Sequence, residues 1–253
     1  MGCGRKAEFV EYWERRHHRA RAVRDSLRSA LIDGTWAEGA FPSDDELGRM
    51  FGVGRNVVRE AVQLLVHEGV LQRRQGAGTS PGKPIVVFDA DVLGALDDSI
   101  GPAAPLATPM TQLVLRWTDD TATAPVAAAL HIETGDPVVV LERLDRSEEG
   151  PVIFWTTSLA ASRGLTQPAP LGEPMPMGFY RWLENAGIEL GSLYVRNGAV
   201  GADPAVAEVL DLEPGAAVML MHLRLTSHDE SIVAVSTGYV RSDRFVSEFV
   251  VKR

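Results

Sequence analysis

Arg55, Arg59 and Gln63 recur every fourth residue in the run RNVVREAVQLLVH, while Val58, Ala61, Val62 and Leu65 recur on a different face. The result is a helix with an apolar back and a guanidinium-bearing front. Such a helix can enter a DNA major groove, where Arg donates in pairs to guanine edges. After Gly69, the segment VLQRRQGAGT reads as two short strands around a Gly turn, with Arg73 and Arg74 placed to meet phosphates. The elements that must position these groups are legible upstream. Ser43 and Glu46 form an S-x-x-E capping box that starts one helix, and Gly52-Val53-Gly54 makes the short turn into the next. An R-x-x-x-R pair alone also fits the solvated face of an ordinary helical hairpin. Cap, turn, helix and wing in this order point instead to a winged helix-turn-helix and to transcriptional regulation.

Residues 20–79 resemble the DNA-binding domain of the GntR family of bacterial transcriptional regulators. The family's run is close to L-P-S-E-R-E-L, S-R-x-T-V-R-E-A, L-x-x-E-G-hydrophobic and G-x-G-T. Here it stands as FPSDDEL, GRNVVREAV, LVHEGVL and GAGT. The resemblance implies that Arg55, Asn56 and Arg59 face the groove and that Gly76 to Thr79, with Gly78 between them, form the wing tip. Ser43, Arg73 and Arg74 complete the implied DNA-binding set. Three positions depart from the pattern. Asp45 stands where an operator-contacting Arg is usual, Gly54 where a capping Ser is usual, and Ala77 where a basic wing residue is common. Losing two cations and gaining an anion near phosphates weakens the salt-dependent part of binding, so an atypical operator or a lowered affinity is expected.

Composition agrees with a DNA reader joined to something else. The chain of 253 residues is long enough for two cores, and its net charge is −9. That charge is uneven: residues 1–84 hold 14 Lys+Arg against 11 Asp+Glu, and the remainder holds 11 against 23. A basic head on an acidic body suits a protein whose second domain stays off the phosphates. The single cysteine, Cys3, excludes an internal disulfide and fits a reducing, cytoplasmic setting. No apolar run approaches the length of a membrane span, and Lys6 stands where an N-terminal lipidation signal wants Ser or Thr. The six histidines show no metal-ligand spacing, and no cofactor is implied.

The expected organisation is α+β: a winged helix-turn-helix domain over 1–79, a linker over 80–107 rich in Pro, Gly and Ala, and a second domain over 108–253. Residues 6–33 read as one long helix ending at Gly34. The second domain contains an internal duplication. Shifted by 80 positions, VAAALHIETGDPVVVLERL falls on VAEVLDLEPGAAVMLMHLR, each copy reading as a short helix, a Gly turn and a strand. Further strands start near Val152 and Ile232, predicting one antiparallel sheet with a pseudo-two-fold axis and a cleft between its halves. Between the copies, GFYRWLENAG reads as a helix stopped by Gly187.

This half resembles the UTRA effector-binding domain of the HutC subgroup of GntR regulators, whose fold is similar to that of chorismate lyase. The features that match are the L-x-hydrophobic-x-x-G turns, Glu142-Arg143-Leu144, Phe179-Tyr180 and the terminal Arg241-Ser242-Asp243-Arg244-Phe245. In relatives that bind phosphorylated sugars, an R-x-R strand and an S-x-Y helix start grip the anion, and two carboxylates hold the hydroxyls. Arg143 and Tyr180 match that set. Asp145 replaces the second Arg, Gly178 replaces the Ser, and Trp155 and Ala234 occupy the carboxylate positions. The resemblance therefore implies an effector site at Arg143, Trp155, Tyr180 and Ala234 that has exchanged charge for apolar surface. It would suit an apolar or aromatic small molecule with one anionic group rather than a hexose phosphate. The implied protein is a homodimeric repressor on a pseudo-palindromic double-stranded operator. The alternatives are a DNA-binding accessory that needs a partner regulator and a lyase-like enzyme. No Ser-His-Asp set, metal cluster or phosphate-cradling loop favours the enzyme.

Overall fold

The computed structural model describes residues 18–33, 35–36, 40–74, 78–82, 86–89 and 110–248. The chain divides into two compact units, Met1–Ile85 and Val86–Arg253. Within the first, α1 spans His18–Ile32, α2 Asp44–Phe51 and α3 Arg55–His67, followed by an antiparallel hairpin of β1 (Leu71–Arg74) and β2 (Gly78–Pro81). The first part of the long helix read from the sequence, residues 6–17, lies outside the described residues, as do Gly76 and Ala77.

One core unites these elements. Val23 and Leu27 of α1, Leu47 of α2, Val58, Ala61, Val62 and Leu65 of α3, and Leu71 of β1 are all buried together. The capping box is formed: the Ser43 backbone N–H donates to Glu46 Oε2 at 2.8 Å, and the Glu46 N–H donates to Ser43 Oγ at 3.3 Å. Gly52 ends α2 at φ 61°, a left-handed conformation that frees the chain to turn sharply into α3. Glu68 pairs with Arg24 and Arg28, tying the end of α3 back to α1.

The second unit is built on a six-stranded antiparallel sheet: β4 (Thr111–Thr121), β5 (Pro137–Ser147), β6 (Gly150–Ala160), β7 (Leu190–Gly201), β8 (Ala217–Ser227) and β9 (Ile232–Arg241), in the order β4-β5-β6-β9-β8-β7. Helices α4 (Ala124–Leu130), α5 (Phe179–Asn185) and α6 (Pro204–Leu210) complete it. The duplication is a structural repeat. α4 and α6, and then β5 and β8, occupy equivalent stretches, and both short helices end on a left-handed residue, His131 at φ 56° and Asp211 at φ 54°. The two copies meet where β6 pairs with β9.

Alternation along the strands splits the sheet into two faces. On one, α4 packs with Val138, Ile232 and Val235, and α6 packs with Val218, Leu144, Phe154 and Tyr239. On the other, α5 buries Phe179, Trp182 and Leu183 against Val139, Leu141 and Leu225. Within the stretch read as a linker, Val86–Asp89 forms β3, which pairs in parallel with β10 (Phe245–Glu248). Arg241 and Arg244 are structural. Arg241 donates to the carbonyls of Leu210 and Asp211 and pairs with Asp243 at 2.7 Å, and the fully buried Arg244 donates to Ser147 Oγ and the Pro151 carbonyl.

Candidate functional site

In the first unit, Arg55, Asn56 and Arg59 are exposed on α3, while the opposite side of the same helix is fully buried. Arg73 and Arg74 are exposed on β1, opposite Thr79 and Gly78 of β2. Ser43 holds the cap of α2, so its hydroxyl is already engaged with Glu46. The helix start at Gly54 has no side-chain cap.

The basic surface is not free of counter-charge. Arg55 Nη2 donates to Asp45 Oδ2 at 2.7 Å. Asp44 Oδ2 lies 2.8 Å from Arg73 Nη2 and 3.4 Å from Arg59 Nε, so one carboxylate joins the second groove-facing arginine to the wing. Three of the four candidate arginines are thus ion-paired to two successive aspartates in the first turn of α2.

In the second unit, the four candidate effector residues converge. Arg143, Trp155, Tyr180 and Ala234 all line one cavity of about 40 Å3, together with Gln112, Asp145, Phe179, Ser236 and an apolar wall that includes Leu223 and Leu225. It draws on both copies of the repeat and on α5. A larger open depression, about 750 Å3, lies beside α4 and strands β6 to β9 and is lined by none of the four.

Arg143 and Asp145 point to the same face of β5, and each is buried, with 4% and 3% of its surface exposed. The Arg143 guanidinium carbon sits 3.9 Å from the centre of the Phe179 ring and 5.9 Å from that of Trp155. Its Nη1 donates to Gln112 Oε1 at 3.4 Å, and the same oxygen accepts the Phe179 N–H at 2.8 Å, tying the start of α5 to β4. Asp145 Oδ2 accepts from Trp155 Nε1 at 2.8 Å. Arg143 Nε and Asp145 Oδ1 are buried without a hydrogen-bond partner among the described residues. Burial holds the Arg143 guanidinium below its usual pKa, against the pull of the Asp145 charge. Burial likewise raises the Asp145 carboxyl, opposed by Arg143 and by the Trp155 N–H.

The cavity has Trp155 and Ala234 in its wall, at the positions expected to have lost carboxylates, and it also buries Asp145 beside Arg143, so a negative charge accompanies the guanidinium. Asp145 reads in sequence only as a lost arginine. Gln112 carries no local sequence signal, and Phe179, legible as part of a helix, becomes a platform for Arg143 only where β4 and α5 meet.

Trp155 is both core and cavity wall. It sits opposite Gly238 on β9, and a Cβ at Gly238 would overlap the benzo ring of Trp155. Gly238→Ala is expected to displace the indole, costing about 1–3 kcal/mol by overpacking. Urea unfolding followed by tryptophan fluorescence checks this, and an unchanged midpoint would show that the ring shifts freely.

Two family models match the chain: the UTRA domain over residues 108–246, and the gntR family of bacterial regulatory proteins over residues 19–80. Among curated proteins, the chain is 29% identical over 135 residues to the HTH-type transcriptional repressor PhnF of Mycolicibacterium smegmatis. That match covers 53% of this chain and 52% of PhnF, so it spans about half the length of that relative. It is 25% identical over 229 residues to the HTH-type transcriptional regulator Rv0792c of Mycobacterium tuberculosis, covering 87% and 81%. The crystal structure of PhnF from Mycobacterium smegmatis shares the fold, with a TM-score of 0.60 at 23% identity over 91% of this chain and 99% of that one.

Proposed function

Because the chain belongs to the GntR family of bacterial regulatory proteins and carries a UTRA domain, we propose that it is a homodimeric, cytoplasmic repressor whose operator binding is modulated by a small molecule in the Arg143 cavity. The observation that carries the DNA-binding part is α3, with Arg55, Asn56 and Arg59 exposed on a helix whose back is locked into the core. Each protomer would read one half of a pseudo-palindromic operator, with Arg73 and Arg74 on the backbone. The family models and curated relatives are regulatory rather than enzymatic.

The effector is a small molecule with an apolar or aromatic body and an anionic group for Arg143, not a hexose phosphate. Asp145 beside Arg143 opposes a multiply charged phosphate, and Trp155, Phe179 and the leucine wall offer apolar contact. For the effector to act, it must favour one arrangement of the dimer over another.

Selection of a random DNA library on the purified protein at moderate salt tests the proposal. Enrichment of one pseudo-palindrome is the expected result. Arg59→Ala is expected to lose about 1–3 kcal/mol of base discrimination, which selection on the variant reads directly. Failure to enrich any motif with folded protein would favour the accessory reading. The ion pairs of Asp44 and Asp45 on the candidate arginines are what keep that second reading in view.

A further inference from the structure

The cavity holds two buried charges of opposite sign, each with one satisfied side and one orphan atom. Arg143 uses Nη1 on Gln112 and presents its faces to Phe179 and Trp155, and its Nε has no hydrogen-bond partner among the described residues. Asp145 accepts from Trp155 on Oδ2 and leaves Oδ1 without a partner. Orphan atoms on buried charged groups cost free energy. Unlike the equally orphaned Nε of Arg224 and of Arg244, these two belong to residues that line the cavity, where an occupant can supply their partners. A guanidinium edge asks for an in-plane acceptor such as a carboxylate. A carboxylate oxygen in the same cavity asks for a donor, best a cationic one.

We infer that the cavity's ligand is a small zwitterion of the α-amino-acid type, its carboxylate on the Arg143 edge, its ammonium on Asp145 and its apolar side chain against Ile153, Leu193, Leu223 and Leu225. This rests on the reading of the cavity as the effector site and adds the second polar requirement. A plain acid satisfies Arg143 but brings a like charge towards Asp145 and leaves Oδ1 unpartnered. A plain amine makes the converse error at Arg143. A zwitterion answers both atoms and adds no net charge to a buried site, which is the least costly way to fill it. The two residues stand at i and i+2 on one strand face, roughly 6–7 Å apart along the backbone, so groups carried on a single carbon lie within reach of both. At about 40 Å3 the cavity as it stands has room for only a few waters, so α5 must give way for an amino-acid side chain to enter.

The test is calorimetric titration of the full-length protein with two matched triples. One is L-leucine, 4-methylpentanoate and 3-methylbutylamine; the other is L-phenylalanine, 3-phenylpropionate and 2-phenylethylamine. The expected result is that in at least one triple the amino acid binds roughly tenfold or more tighter than either truncated partner, the scale of one hydrogen bond to a charged group. In Asp145→Asn, which keeps an acceptor for Trp155, the amino acid is expected to fall to the level of its deaminated partner. If the acids bind as tightly as the amino acids to the wild-type protein, the zwitterion inference fails while the effector site at Arg143 stands. If no member of either triple binds, both fall, and if only glucose 6-phosphate added as a further probe does, the zwitterion inference falls together with the proposed apolar, singly anionic effector. The wild-type titrations decide the matter even if the variant does not fold. The DNA selection above uses no ligand and is judged separately.

Discussion

Asp45→Arg is expected to raise operator affinity by roughly 10- to 100-fold near physiological salt and to steepen the salt dependence by about two units of logarithmic slope. Asp45 now holds Arg55 in an ion pair, and Asp44 holds Arg59 and Arg73, so the face that would meet phosphates is partly neutralised from within. The substitution does two things at once. It frees Arg55 to reach DNA, and it adds a cation at the start of α2. Each added phosphate contact releases condensed counterions and contributes close to one unit of slope. The stability cost is small because the pair is exposed, with 69% and 53% of the two side chains accessible. Asp45→Asn separates the two contributions, since it frees Arg55 without adding a charge and should give about half the change in slope. Fluorescence anisotropy on the selected operator across a salt series measures both quantities. An unchanged slope for Asp45→Arg would show that this end of α2 does not approach the backbone.

Arg143→Met is expected to destabilise the second unit by on the order of 3 kcal/mol at pH 7, because it leaves Asp145 as a buried charge with the Trp155 N–H as its remaining support. The dependence on pH has a definite sign. Burial raises the Asp145 carboxyl in the folded protein above its unfolded value, so the folded state holds the proton over a window where the unfolded state has lost it. Stability from this group therefore falls as pH rises from the ordinary Asp value, near 4, through the raised folded one. Removing Arg143, whose charge pulls the carboxyl down, widens that window. The variant should recover part of its deficit at pH 5, where Asp145 can protonate. Adding Asp145→Leu should restore most of the rest, since well-packed apolar residues often replace a buried ionic pair without loss. Urea unfolding of the single and double variants at both pH values tests this. Equal stability of Arg143→Met and the wild-type protein at pH 7 would mean that Asp145 is uncharged or solvated even with Arg143 present.

How much of this was legible in the sequence depends on how local each signal is. The capping box at Ser43, the left-handed turn at Gly52 and the apolar back of α3 are written in consecutive residues, and each takes the conformation that its residues favour. The duplication is equally readable because aligned copies reinforce one another, down to the matching turns after α4 and α6. The outer strands were harder. β7 carries Gly and Asn among residues exposed on both faces, so it lacks the alternation that marks a half-buried strand. The parallel pairing of β3 with β10 joins segments far apart in the chain, and nothing within either one announces its partner. At the second site, resemblance picked out Arg143, Trp155, Tyr180 and Ala234, and these four line one cavity. The charge of Asp145 acquires meaning only once a strand places it, buried, beside Arg143, and the ties from Asp44 to Arg59 and Arg73 exist only when three elements assemble.

The repeat also gives the cavity a direction. Under the shift of 80 positions that superposes the two copies, Arg143 and Asp145 of β5 correspond to Leu223 and Leu225 of β8, and all four line the same space. A sheet with intact two-fold symmetry would offer a guest two interchangeable ends. Divergence at this pair of strand positions sets a charged pair on β5 against two leucines on β8, so an asymmetric guest has a favoured way round. Exchanging the two dipeptide-spaced pairs between strands should invert that orientation while leaving the backbone frame as it is.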